Sequence, residues 1–134
     1  MTIINDIRAC LDNHLAGTIG LPTVANQNVA YEPTTGTSYI KVNMVPTSRR
    51  PATRGLNPQQ RYDGLYTLLI CTPENMGSGA GYDLADLLLE RFNATTDISY
   101  NGFTVSVDFS EVRTSFLDSP FYCTPVVVTW YIYN

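Results

Sequence analysis

Three groups of residues in this 134-residue chain have types and spacings that bear on chemistry. The first is the stretch "TPENMGSGAGYDLADLLLERF", Thr72 to Phe92, where Gly77, Gly79 and Gly81 stand between an apolar run and a helical pattern. Phosphate loops occupy that position in nucleotide-binding proteins, because N–H groups at a helix start hold anions. A loop of the GxxxxGK[ST] kind also needs a lysine and a metal-holding hydroxyl, and no lysine lies near. A dinucleotide fingerprint needs G-x-G-x-x-G, and G-S-G-A-G is one residue short. Glu74 and Asp83, on either side, would repel phosphate. The glycines therefore read as a flexible connector from strand into helix, and no cofactor is expected.

The second group is the set of would-be nucleophiles and bases. His14 is the only histidine, and it stands at helical spacing from Cys10. Cys–His or Ser–His chemistry would require it. Its plainer reading is a partly exposed histidine stabilised by the C-terminus of its helix. Asp108 and Glu111 can be written as an acid–base pair, but twelve acids in a chain of this length produce such pairs by chance. Cys10, Cys71 and Cys123 are far apart in apolar surroundings with no CxxC pair. They read as reduced core cysteines rather than a disulfide or a zinc site. No catalytic residue and no metal is expected.

The third group is basic. Arg49, Arg50, Arg54 and Arg61 are half of the eight cations and fall in one short region. They are candidates for an electrostatic contact, with DNA phosphates or with an acidic partner surface, or else they form a solvated hairpin tip. Composition sets the frame. Only 15% of residues are charged, against about 25% in an average domain. The surface is polar through Thr, Ser, Asn, Gln and Tyr, which accords with burial against partners. A net charge of −4 with a single lysine, Lys41, lacks the basic footprint of a nucleic-acid binder. The start "MTIINDIRACLDNHL" has neither the basic nor the apolar region of a signal peptide, and no run approaches the roughly 18 apolar residues of a membrane helix.

The elements that must position these residues follow from periodicity. Ile3 or Ile4, Ile7, Cys10 or Leu11, and His14 or Leu15 recur at helical spacing, with Thr2 or Asn5 as cap and Gly17 as stop. Residues 17–37 read as loop, with one short extended piece at Val29–Tyr31. "SYIKVNMV" alternates, with Ile40, Val42 and Met44 on one side, and Pro46 stops it. A loop of about 46–61 carries the arginines and leads into "RYDGLYTLLICT", where Gly64 signals a bulge or a close backbone approach. The two strands form a long hairpin. "GYDLADLLLERF" is an amphipathic helix burying Leu84, Ala85, Leu88, Leu89 and Phe92, with Asp83, Asp86 and Glu90 towards water. "FTVSVDF" places Phe103, Val105, Val107 and Phe109 on one face. "YCTPVVVTWYIYN" is an uncharged terminal strand that Pro125 assigns to an edge or a bulge, and a partner is expected to cover it. The expectation is a single α+β domain over 1–134. Its mostly antiparallel sheet has about four to five strands, with a long β-hairpin, and two helices cover one face.

The order of these pieces resembles the tail-terminator, or tail-completion, proteins of phages with long non-contractile tails. The resemblance rests on "YIKVNMVP", then the arginine- and proline-bearing loop, "RYDGLYTLLICTP", the glycine turn, "ADLLLERF" and the β-rich C-terminal segment. The positions that carry it are Arg61, Gly64, Tyr66, Pro73, Gly77, Ala85, Leu88 and Phe92. It implies a structural virion protein, not an enzyme. It further implies a hexameric ring at the head-proximal end of the tail, assembled in the host cytoplasm. Such a ring caps the tail tube, ends its polymerisation and offers a docking surface to head or neck proteins. Genomic DNA passes through its lumen without sequence-specific binding. Arg49, Arg50, Arg54, Arg61, Trp130 and Tyr131 are the candidate contact residues. A neck or head-completion protein is the nearest alternative. A small-ligand or carbohydrate-binding domain using Tyr62, Tyr66, Trp130 and Tyr131 as platforms is a more distant one.

Overall fold

The computed structural model describes residues 3–53, 55, 59–94 and 96–133. Its elements run α1 (Ile3–Ala16), β1 (Thr23–Ala25), β2 (Tyr39–Pro51), β3 (Gln60–Pro73), α2 (Gly79–Arg91), β4 (Asp97–Tyr100), β5 (Phe103–Val112), β6 (Phe116–Asp118) and β7 (Phe121–Tyr133). The strands form one seven-stranded sheet in the order β1-β2-β3-β7-β5-β4, with β6 also on β7. Every pairing is antiparallel except that of β1 with β2. The architecture is α+β as expected, but the strand number is seven, not four to five.

Alternation of side chains explains how the layers meet. Ile40, Val42 and Met44 of β2, Tyr66, Leu68 and Ile70 of β3, and Val126, Val128 and Trp130 of β7 all point to one face. Ile7, Cys10 and Leu11 of α1 and Ala85 and Leu88 of α2 pack there, with Phe92 just after, forming the main core. The opposite face carries a smaller cluster of Tyr39, Cys71, Cys123 and Phe121. The irregular segment between β1 and β2 crosses that face and lays Tyr31 against Tyr39, their rings 5.3 Å apart. A parallel pair needs such a crossover, and this one is built without a helix.

Several expectations are corrected. The terminal strand β7 is no edge, for it lies between β3 on one side and β5 with β6 on the other. The chain's own strands cover it. Pro125 fits there because β5 stops pairing at Val126 and β6 starts at Cys123, so the missing N–H faces the break. The Pro125 carbonyl still accepts the Arg113 N–H at 2.9 Å. Pro46 does not end its strand either. Met44, two residues earlier, turns its N–H away from β3 to the Gln27 side chain (3.0 Å), so a proline at 46 forfeits no ladder bond. After a bulge at Thr47 the hairpin continues to Pro51↔Gln60, which leaves a much shorter loop than 46–61. A second bulge between Val107 and Phe109 turns Phe109 out of the core, and it is 46% exposed.

The glycine stretch is also revised. Gly77 takes a positive φ of 76° in the turn after β3, but Gly79 and Gly81 lie within α2. Gly81 is buried, and a Cβ there would meet the Thr124 hydroxyl at 3.2 Å. It is a close-packing position that brings α2 down on β7. The extended piece expected at Val29–Tyr31 is instead β1 at Thr23–Ala25. Of the two proposed caps for α1, Thr2 lies outside the described residues, and Asn5 sits inside the helix, accepting from Arg8 at 3.0 Å.

Candidate protein–protein interface

None of the would-be catalytic groups converge. Cys10 points its thiol to the carbonyls of Tyr100 and Phe103, and His14 Nε2 instead meets the Arg91 carbonyl at 2.8 Å. Burial raises the Cys10 and Cys123 thiols, which keeps both as thiols rather than nucleophilic thiolates. Glu111 is engaged by Arg113 at 3.0 Å. His14 serves a structural purpose. The Arg91 guanidinium donates back to the His14 carbonyl (3.1 Å), and the imidazole meets the Phe92 ring edge-on at 5.0 Å. The two helix C-termini are thus clamped to each other, and burial lowers the His14 pKa.

The arginines divide into two sets. Arg61, near the turn end of the hairpin, is held by several partners. Its Nε bonds Asp63 at 2.8 Å and its Nη1 donates to the Tyr133 hydroxyl at 2.8 Å. Its guanidinium also lies 4.5 Å from the Tyr131 ring centre and 5.4 Å from that of Tyr133. Arg61 therefore ties the hairpin to the end of β7 instead of reaching outwards, and Tyr131 is its half-buried platform. Arg49 and Arg50 are the outward set. Arg50 makes a loose pair with Asp63 at 3.5 Å and is 65% exposed, while Arg49 rests 5.6 Å over Tyr62. Arg54 lies outside the described residues.

Trp130, expected at a contact surface, is instead wholly buried. Its ring lies on Gly64 of the neighbouring strand, so closely that any Cβ at 64 would overlap it and the Val45 carbonyl. That is the close approach the glycine signalled. Tyr66 is buried too, with its hydroxyl donating to Asp12 at 2.6 Å. Two of the four proposed aromatic platforms are therefore core residues.

The site has a further part that the sequence reading missed. A groove of about 570 Å³ opens between the first turn of α1 and the turn-side half of the hairpin, lined by Ile3, Ile4, Pro46, Arg49, Tyr62 and Trp130 among others. Nothing in the sequence joins Ile4 to Pro46, since only the packing of α1 over β2 brings them together.

The comparisons with known proteins bear on this arrangement. The profile of a family described as phage tail terminator protein matches residues 6–130, from the first turns of α1 to Trp130. The chain belongs to the phage tail terminator family. No curated protein matches it in sequence. Among the solved structures that share the fold, one superposes with a TM-score of 0.72 at 20% identity. The likeness covers 97% of this chain and 95% of that one. As a phage tail terminator protein, the chain is a structural component of the virion tail.

Proposed function

We propose that this tail terminator protein assembles into a hexameric ring that caps the tail tube, ends its polymerisation and presents the docking surface for the head or neck. The observation that carries the reading is the family match over residues 6–130, which takes in every strand and both helices at least in part. The surface supports it. The hairpin carries Arg49 and Arg50 on its surface, one over the Tyr62 ring and the other loosely paired with Asp63, in a chain with few charges. We assign this hairpin to a protein contact, because a lumen through which genomic DNA slides must not hold phosphate tightly. The ring sits at the head-proximal end of the tail and assembles in the host cytoplasm.

The test is assembly itself. Native mass spectrometry across a concentration series, repeated with purified tail tubes, should show six-fold species and tubes that no longer elongate. A chain that stays monomeric at high concentration, both alone and on tubes, and leaves elongation unchanged would refute the reading.

A further inference from the structure

Two features near opposite ends of β7 lack a partner among the described residues. Near its C-terminal end lies the groove between α1 and the turn-side half of the hairpin, with Ile4 at its mouth (46% exposed) and Arg49 among its lining residues. Trp130 contributes to the groove, and its indole Nε1 is buried with no acceptor among the described residues. No described carboxylate lies within 4 Å of Arg49.

Near the N-terminal end of β7 is the counterpart. Strand β6 pairs with β7 alone, so its outer edge offers main-chain groups unpaired by any described strand. Leu117 on it is 64% exposed. The turn after β3 is tied to the loop following β6 by Ser119 Oγ to Glu74 (3.0 Å) and by the Glu74 N–H to the Pro120 carbonyl (3.1 Å). That bond brings a second carboxylate beside Asp118, and neither has a described cation within 4 Å. One end is thus an apolar groove with an arginine that has no described carboxylate beside it, and the other an apolar projection flanked by two carboxylates that have no described cation beside them. Leu117 pairs with Tyr122 and the groove ends at Trp130. Eight residues of strand hold them roughly 26 Å apart, so one chain cannot satisfy itself.

We propose that Leu117 of one copy seats in the groove beside Ile4 and Trp130 of the next, with Asp118 meeting Arg49 across the contact. Two unlike patches make a head-to-tail contact, which repeats around a ring when the rotation closes. The proposal rests on the ring reading above and names the surfaces that build it.

Cross-linking separates the two. Cys10, Cys71 and Cys123 are fully buried, so new surface thiols react selectively. A chain carrying both Ile4→Cys and Leu117→Cys, assembled with tail tubes and treated with a short bis-maleimide, should give a ladder rising to the full ring. Either single variant should give no ladder. Arg49→Asp should raise the concentration for half-assembly by about tenfold, and adding Asp118→Arg should recover most of that loss. Circular dichroism on each variant confirms that folding is unchanged. Rings that form normally while the double-cysteine chain gives no ladder would overturn this contact and leave the ring reading standing. Efficient dimers from a single-cysteine variant would overturn it as well, since like patches would then be meeting. No assembly by the unmodified chain, alone or on tubes, would remove the ring reading and this contact with it.

Discussion

At Gly64 the main chain of β3 passes directly beneath the Trp130 ring, with no room for a methyl group. Gly64→Ala must therefore move a wholly buried indole or the Val45 carbonyl. Overpacking of this kind costs about 1–3 kcal/mol, read as a lower urea midpoint with an unchanged slope. His14 sets a second expectation. Its folded pKa is lowered, first by burial, from the ordinary 6.5. The folded chain then binds the proton less readily than the unfolded one. Its contribution to stability is complete above the unfolded pKa and is lost as pH falls through that value towards the folded one. Urea midpoints should fall between about pH 7 and 5, and His14→Gln should flatten that part of the profile. An unchanged slope in the variant would exclude His14 as the source.

The hairpin β2–β3 is the element on which the outward surface depends. Its outer edge is guarded at Met44, where the Gln27 side chain both accepts the N–H and donates to the carbonyl, as a neighbouring strand would. Its turn end is held by Arg61 between Asp63, Tyr131 and Tyr133. Arg61→Ala should cost about 1 kcal/mol of local opening. Hydrogen exchange at Arg49, Arg50 and Tyr62 should then quicken about fivefold, with the helices unaffected. The pairing of β4 with β5 was open to a sequence reading. Asn101 and Gly102 take positive φ values of 53° and 76° in the turn, and Asn-Gly between apolar runs is a strong hairpin signal. The three-residue strands β1 and β6 are different. They are too short to show a period, and pairing with β2 and β7 alone defines them.

For the whole molecule, the prediction concerns assembly without loss of fold. Replacing Arg49, Arg50 and Arg54 together by serine removes three charges, of which Arg49 and Arg50 make surface contacts with Tyr62 and Asp63. Thermal unfolding should stay within about 0.5 kcal/mol of the parent, while ring formation or joining to heads weakens. A variant that assembles and joins heads normally would reduce these arginines to solvated surface. The glycine stretch belongs at this scale too. Gly81 lets α2 settle on Thr72 and Thr124, so it shapes the subunit rather than holding a ligand.

The sequence by itself determined both helices, the faces of β2 and β3, the special position of Gly64 and the family. Each is written in local periodicity or in ordered short motifs. Tertiary structure decided that β7 is central, that Phe109 points outwards, that Arg61 is a latch while Arg49 has no described carboxylate beside it, and that Ile4 and Trp130 line one groove. A one-residue bulge reverses every later side chain, and strand order depends on which distant segments pair. Neither is encoded within a window of a dozen residues, so neither is legible before the chain folds.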